Sequence, residues 1–570
     1  MSELTVLEEV IRKHTLKNAH DYKLAIPAKI IGKVIGEVPD ARKDMAGTMK
    51  LINEEAKRVN ALPVADMEKE LATCTFEEKK EEKKEIELPG AIEGHVKTRF
   101  PPEPSGYPHI GHAKAAFLDY ESAKRYRGKM LLRFDDTNPE KEKEEYVNAI
   151  KDGLDWLGIE WAEETYTSDR MEEFYVHCEE MFVKYSAYVC TCKPEEIKKG
   201  REMKRSCDCT AREPQENMLL FKKMREGKME EGEAIVRYRG DMKSENTVMR
   251  DPALFRIIKK PHYRQGEKYF AWPSYDFAAP IMDSLEGITH AMRTKEYELR
   301  NELYFAVLKK LELRAPKLIE FSRLSIKNAP ISKRLITPLI ADGKVEGWDD
   351  PRLPTLLALR RKGILPEAIR TFVLSFGLSK VESEPGWDAL MSENRKLLDE
   401  RCYRRFFAAR PRKLTVTGAP AKEAALHNHP KKPEMGERRM AAAESFHIAE
   451  NDYDALQMQE TFRLKDLYNL TVTQKNAEGI VAKYEGDEGL AAKKIQWVPV
   501  ESAVSCKVKI AKDLLDENGN FAEGSLIEES GFCEPSCRDM AVGDIVQFER
   551  YGYVRLDKRE ENGLIFIFSC

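Results

Sequence analysis

The chain has 570 residues, 42% hydrophobic, 9% aromatic and 34% charged, which is too long for one core and fits a soluble globular protein of several domains. Lys plus Arg (94) nearly balances Asp plus Glu (98), so the net charge of -4 neither points to a nucleic-acid partner nor excludes one. No run approaches the roughly 18 apolar residues of a membrane span, Met1–Lys17 has no apolar signal core, and the 11 cysteines read as thiols or metal ligands of a reducing, cytoplasmic compartment.

In chain order, residues 1–75 read as helical, with Val6, Val10, Ile11 and His14 near helical spacing, then Met49, Ile52, Ala56 and Val59. The run Glu77–Glu85 places like charges four apart, which weakens a helix, and predicts a solvated linker or frayed helix end closed by Leu88-Pro89-Gly90. His95–Phe100 alternates, with Val96, Thr98 and Phe100 on one face, and predicts a strand. The prolines of Pro101–Pro108 forbid a helix there. A helix is expected from about Gly111 to Arg125, a buried strand over Met130–Phe134, and a second helix from about Glu140. Strand, loop, helix and strand make a βαβ unit that opens a parallel sheet. Residues 170–265 read as irregular and charged, with Cys190, Cys192, Cys207 and Cys209 grouped inside them. Sheet-like signals return at Lys268–Trp272 and Gly287–Arg293, with a helix over 296–310. From about 412, short runs such as Lys413–Val416, Thr471–Thr473, Ile495–Val500, Ile545–Phe548 and Ile565–Phe568 alternate with turn signals and predict an all-β sandwich or barrel.

The chemistry centres on Pro101–Ala115, PPEPSGYPHIGHAKA. A strand ends, a proline-stiffened loop turns, and a helix begins with free N–H groups and a partial positive charge. Gly106 and Gly111 let backbone approach a ligand closely, and His109 and His112 fall on one helix face, suited to phosphate oxygens. A His-x-x-His pair alone is by default a core or metal pair. The whole loop resembles the HIGH signature of class I aminoacyl-tRNA synthetases. Ile331-Ser332-Lys333-Arg334 stands where their KMSKS signature falls, matching at Ser332 and Lys333 and departing at Pro330, Ile331 and Arg334. Arg99–Pro104, Arg133–Pro139, Tyr275–Phe277, Glu286–His290, Phe321–Leu324 and Val345–Arg352 follow in the order of the glutamyl- and glutaminyl-tRNA synthetase subclass.

That resemblance implies a multidomain α/β plus all-β protein. A Rossmann-type catalytic domain would occupy 91–168 and 266–322, while the helical extension and charged linker of 1–90 rest on periodicity and charge alone. An acceptor-end insertion would fill 169–265, a helical stem-contact region 323–410, and anticodon-binding β-barrels 411–570, the archaeal and eukaryotic type. It implies His109, His112 and Lys333 as catalytic residues. Glu103, Pro104, Ser105, Gly111, Thr294, Arg323, Leu324 and Ser332 would border ATP. Arg99 would meet the amino acid's α-carboxylate or the nearby phosphate, Asp135 its ammonium group, and Tyr275 its side-chain end. Glutaminyl enzymes carry a small uncharged residue where Arg293 stands, and a γ-carboxylate in a dry pocket needs a cation, so glutamate is expected rather than glutamine. The competing role for Arg293 is a structural ion pair with Glu286 or Glu296. The implied reaction joins glutamate to ATP, with Mg²⁺ on the pyrophosphate, and passes it to tRNA(Glu), leaving open whether tRNA(Gln) is also charged. Cys190, Cys192, Cys207 and Cys209 form two Cys-x-Cys pairs that can hold Zn²⁺ or stay as reduced structural thiols. A cytoplasmic monomer that binds no membrane is expected.

Overall fold

The computed structural model describes residues 6–22, 24–74, 86–489 and 493–570. The charged run at 77–85 lies outside the described residues. The chain divides into two compact units, Met1–Lys83 and Lys84–Cys570.

The first unit is helical, as its periodicity predicts: α1 Val6–Tyr22, α2 Pro27–Glu37, α3 Met45–Asn60 and α4 Val64–Leu71. Pro27 opens α2 where its missing N–H is harmless, and the Asp44 carboxylate caps α3 through Gly47 N–H at 2.9 Å. Val10, Ile11, Ile30, Val34, Ile52, Ala56 and Val59 meet in one core. Val6 does not join it and is 71% exposed.

The second unit opens with β1 Lys97–Phe100, α5 Ile110–Arg125, β2 Lys129–Phe134, α6 Glu144–Trp156 and β3 Glu163–Tyr166. The strands pair in parallel, Arg99 opposite Leu131 and Arg133 opposite Thr165. Parallel strands packed under helices must be apolar on both faces, and β2 is buried over all but its first residue. Further along, β8 His290–Thr294 and β9 Lys317–Phe321 form a second parallel pair. Thr289 N–H donates to the Lys97 carbonyl at 2.9 Å, which sets the two sheets edge to edge. Gly128 makes the tight entry into β2, where a Cβ would sit 2.0 Å from the Val96 carbonyl oxygen.

Between the halves lie α7 Met171–Val183, β4 Ala187–Cys190, α8 Pro194–Glu202, α9 Pro214–Arg225, β5 Ile235–Tyr238, β6 Ala253–Ile257, β7 Ala271–Pro273 and α10 Tyr275–Leu285. The expectation of an irregular segment is corrected here: β4 to β7 form a four-stranded antiparallel sheet backed by helices. Phe174, Phe182, Phe221, Phe255 and Trp272 fill its core, which runs without a break into Phe277 and Ile281 of α10. The sheet thus continues to Pro273 and delivers the chain directly to Tyr275. The helix expected over 296–310 begins as a 3-10 turn, Lys295–Arg300, and becomes α11 over Asn301–Lys310.

Helices α12 Lys333–Ala341, α13 Leu356–Lys362, α14 Pro366–Leu374 and α15 Trp387–Arg401 follow. Beyond them lie two seven-stranded sheets. In one, the edge strands Arg404–Arg405 and Phe407–Ala409 are separated by Phe406 alone; in the other, Lys493–Ile495 and Val498–Pro499 are separated by Gln496 and Trp497. One continuous run therefore supplies both edges of each sheet and curls it into a barrel-like shape, which removes open edges. Trp497 and Phe406 are fully buried in the resulting core.

Candidate active site

The histidine loop ends where α5 begins. His109 is the N-cap: its Nδ1 accepts the Gly111 N–H at 3.1 Å, and His112 Nδ1 accepts the His109 N–H at 3.2 Å. Each Nδ1 accepts, so each ring proton is assigned to Nε2, and both imidazoles are neutral donors. Burial, His112 and Arg323 push His109 well below the usual imidazole range; burial and Arg323 push His112 down to about 4. Gly111 serves this packing, because a Cβ there would meet His109 Cε1 at 2.9 Å and the Leu324 carbonyl at 3.2 Å. A Cβ on Gly106 would meet nothing within 4 Å.

The loop is fixed from outside by a segment that sequence reasoning did not single out. Ile110 N–H donates to the Pro354 carbonyl at 3.0 Å, and Leu356 N–H to the Pro108 carbonyl at 2.9 Å. Lys114 was also missed. It is fully buried on α5, and its Nζ donates to the Ser322 carbonyl at 2.6 Å and hydroxyl at 3.0 Å, with no acid beside it. Burial pushes it down to about 8. It ties the histidine helix to the end of β9, just before Arg323 and Leu324. A lysine in this place reads as a surface residue, and nothing in the sequence signals its burial.

Lys333 opens α12 and crosses back to the histidine loop. Its Nζ donates to Tyr146 Oη at 2.8 Å and lies 3.4 Å from the Ser105 carbonyl. Ser332, Lys333 and Arg334 are exposed. Thr294 ends β8, and Arg323 and Leu324 follow β9, so these residues gather at the carboxyl ends of parallel strands, where α/β sheets hold ligands. Pro104 is buried, Glu103 is exposed, and Arg323 pairs with Glu296 at 3.2 Å.

Beside this loop lies a cavity of about 470 Å³ lined by Glu103, Asp135, Glu142, Tyr275, Tyr297, Arg256 and Arg300, among others. Asp135 Oδ1 accepts from Arg133 Nε at 3.0 Å and Thr167 Oγ1 at 2.9 Å, while burial raises its carboxyl above the ordinary range. Tyr275 opens α10 and packs its ring on Tyr297, 4.8 Å between centroids. Burial raises its phenol, against the pull of Arg293 and Arg99.

Arg293 is 5% exposed and stands behind the lining residue Tyr297 rather than in the cavity wall itself. Its Nη2 donates to Asn301 Oδ1 and, at 3.3 Å, to the Tyr297 carbonyl, and its Nε and Nη1 are buried without a hydrogen-bond partner. Neither structural partner weighed from sequence is used: Glu286 bonds Arg133 at 2.8 Å and Thr165 at 2.6 Å, and Glu296 bonds Arg323. Arg99 does not line the cavity. It is 1% exposed, with Nε 2.8 Å from Asp283 Oδ1 and Nη1 2.7 Å from the Met292 carbonyl. Asp283, which no sequence motif marked, also receives Arg133 at 2.8 Å and Tyr304 Oη at 2.7 Å. Burial would raise its carboxyl, but the two arginines hold it at about 2. Arg99 thus meets a structural acid, and its charge is felt at Asp135 and Tyr275.

The four cysteines converge in the insertion, their sulfurs all within 4.8 Å of one another. Cys190 and Cys207 lie 3.7 Å apart, Cys192 and Cys209 3.8 Å. A tetrahedron with Zn–S bonds of about 2.3 Å has edges of about 3.8 Å, so the donor set fits such an ion. The hydrogen bond between Cys190 and Cys207 raises one thiol, Cys190, and lowers the other, Cys207. No helix among the described residues is long and apolar enough to cross a membrane.

Three family models match the chain: the catalytic domain of class I tRNA synthetases (E and Q) over residues 95–400, and two anticodon-binding domains of the same group over 402–487 and 494–557. The chain is 45% identical to a glutamate–tRNA ligase of Nitrosopumilus maritimus over 97% of its own length and 98% of the relative's. It is 42% identical to one of Cenarchaeum symbiosum, covering 96% and 97%, and 36% identical to one of Korarchaeum cryptofilum, covering 99% of each. With a parallel-strand catalytic unit, paired histidines at a helix start and two C-terminal barrels, the chain belongs to the class I glutamyl- and glutaminyl-tRNA synthetase family.

Proposed function

We propose that this chain is a glutamate–tRNA ligase that forms glutamyl-adenylate from L-glutamate and ATP and passes the glutamyl group to the terminal ribose of tRNA(Glu). The observation that carries the choice of amino acid is Arg293, a buried cation with two unpartnered donor nitrogens that bonds no carboxylate directly and reaches Glu320 through Asn301. A γ-carboxylate satisfies those donors; the amide of glutamine leaves the charge uncompensated. Asp135 and Tyr275 supply the remaining contacts, one to the ammonium group and one to the side-chain end. The relatives named glutamate–tRNA ligases, matched over nearly their full length, support the same reading.

The α-carboxylate of glutamate attacks the α-phosphorus, and pyrophosphate leaves. The ribose hydroxyl then attacks the acyl carbon and AMP leaves. The neutral His109 and His112 donate Nε2–H groups to phosphate oxygens, and Lys333 brings a point charge to the leaving pyrophosphate. Glu103, Pro104, Ser105, Gly111, Thr294, Arg323, Leu324 and Ser332 border the nucleotide. Mg²⁺ neutralises phosphate charge when bound with ATP. Residues 169–265 take the acceptor end, with Zn²⁺ on Cys190, Cys192, Cys207 and Cys209 fixing the insertion, and the barrels of 411–570 take the anticodon. The enzyme works as a cytoplasmic monomer.

The test is charging of purified tRNA(Glu) and tRNA(Gln) with labelled glutamate and glutamine. Glutamate and not glutamine is expected on tRNA(Glu), and the tRNA(Gln) lane decides the second substrate. Arg293→Ala is expected to raise KM for glutamate by about 100-fold and leave KM for ATP within about threefold, the size of one lost buried charge pair. Equal rises in both would sink the pocket assignment.

A further inference from the structure

Two carboxyl groups beside the cavity take no part in the chemistry above. Asp136 is fully buried and accepts the Ser168 N–H and hydroxyl, each at 2.8 Å, and the Tyr263 hydroxyl at 3.1 Å. Glu142 is 5% exposed and forms part of the cavity wall. Its Oε1 accepts the Asn138 N–H at 2.8 Å, while its Oε2 is buried with no hydrogen-bond partner. The atom facing it belongs to His262, in the turn that returns the chain from the insertion. His262 Nδ1 accepts the N–H groups of Arg264 at 3.2 Å and Gln265 at 3.1 Å, which assigns the ring proton to Nε2. That N–H lies 3.5 Å from Glu142 Oε2 and 3.7 Å from Asp136 Oδ2, and it satisfies neither.

The surrounding charges do not compensate two carboxylates. Glu103 and Asp135 face Glu142 with like charge. Arg256 faces it with opposite charge but donates to the Thr137 carbonyl. On the far side Arg264 pairs with Asp169 at 2.9 Å and stacks on Tyr166. Burial first, then Glu103 and Asp135, push Glu142 up to about 9; burial pushes Asp136 up to about 7 and lowers His262. A neutral imidazole between two buried acids leaves at least one of them protonated at neutral pH.

We propose that Glu142 is a specificity-determining residue of the amino-acid cavity: held uncharged beside His262 it keeps the wall compatible with an anionic amino acid, and ionised it turns that substrate away. This rests on the glutamate reading. A single proton passes between Glu142 and solvent, and no other bond changes. Because the anionic substrate binds the protonated form, its binding above the titration of Glu142 takes up a proton.

Aminoacylation at saturating ATP and tRNA, from pH 7 to 9.5, reads this directly. Glu142→Gln keeps the uncharged shape at every pH. The ratio of wild-type to E142Q KM for glutamate, which cancels titration of the substrate's own ammonium group, is expected to rise about fourfold across that range. A level ratio overturns the proposal. Should E142Q not fold, calorimetry of the wild-type protein with tRNA at pH 9.5, in buffers of different ionisation enthalpy, is expected to show more proton uptake than the ammonium group of glutamate accounts for. Uptake no larger than that overturns the proposal as well. Absence of glutamate charging at every pH would overturn the ligase reading and this inference with it, whereas charging with a level ratio overturns this inference alone.

Discussion

Protonating either imidazole at the start of α5 breaks the cap it forms, because each Nδ1 is an acceptor for a backbone N–H. The depressed values of His109 and His112 express that cost together with burial beside Arg323. For stability the sign follows from folded values below the ordinary 6.5: the contribution is present above pH 6.5 and is lost as pH falls from there toward the value of about 4 held by His112. For activity, kcat/KM for ATP is expected to stay level between about pH 8 and pH 6, where an ordinary imidazole would gain its proton. A fall centred near 6.5 that vanishes in His112→Asn would contradict the neutral-donor assignment. The pairing of His109 with His112 at the start of α5 is legible because the two are neighbours in sequence. Glu142, Lys114 and Asp283 are not, since each is a charged residue whose meaning comes from burial. The ion pair of Arg99 is hidden from the sequence for the same reason: the acid that engages it lies 184 positions away.

At the scale of elements, α7 shows what a composition reading loses. Phe174, Tyr175, Cys178, Met181 and Phe182 are buried along one helical stripe, yet the charged residues around them masked the period. The paired strands β4 to β7 are only three to five residues long and far apart in sequence, so no local signal announces their sheet. The cysteines, by contrast, were legible as a pair of pairs, because β4 ends at Cys190 and the 3-10 turn Asp208–Ala211 brings Cys207 and Cys209 back against it. Arg237, reaching Cys190 and Cys207 sulfur at 3.9 Å, favours the thiolate form that a metal requires. The purified protein is expected to carry about one zinc per chain by elemental analysis, and Cys207→Ser to lose it. Loss of the metal loosens the insertion, so KM for tRNA is expected to rise several-fold more than KM for ATP. A protein without bound zinc when purified in the absence of chelator would leave four reduced thiols as the role of the group.

In the whole molecule, the histidine loop and the C-terminal barrels are joined by one short helix. Thr355 caps α13 through the Ala358 N–H at 3.1 Å, and the adjoining backbone holds Pro108 and Ile110. Within seven residues α13 ends at Lys362, and its Arg361 makes two hydrogen bonds to Asp557 of the barrel, 2.9 and 2.7 Å long. Burial would raise Asp557, but Arg361 outweighs it and holds the carboxyl below its ordinary value. Gly363 then turns the chain with φ of +83°, where a Cβ would press on Arg555 and Ser569 at 3.2 Å. This contact helps to fix where the barrels stand relative to the histidine loop, beside the Lys509–Glu346 and Arg352–Ser525 contacts, and it lies outside the cavity wall. Arg361→Ala removes one partner of a half-buried bidentate pair and leaves Asp557 to the more distant Arg555, 3.8 Å away, a loss of about 1–3 kcal/mol at the junction. A tRNA that must reach both the barrels and the histidine loop senses that junction, while the two small substrates do not. KM for tRNA in aminoacylation is therefore expected to rise about tenfold, with KM for glutamate and for ATP within about twofold. Parallel rises in all three would place the damage in the catalytic fold rather than at the junction.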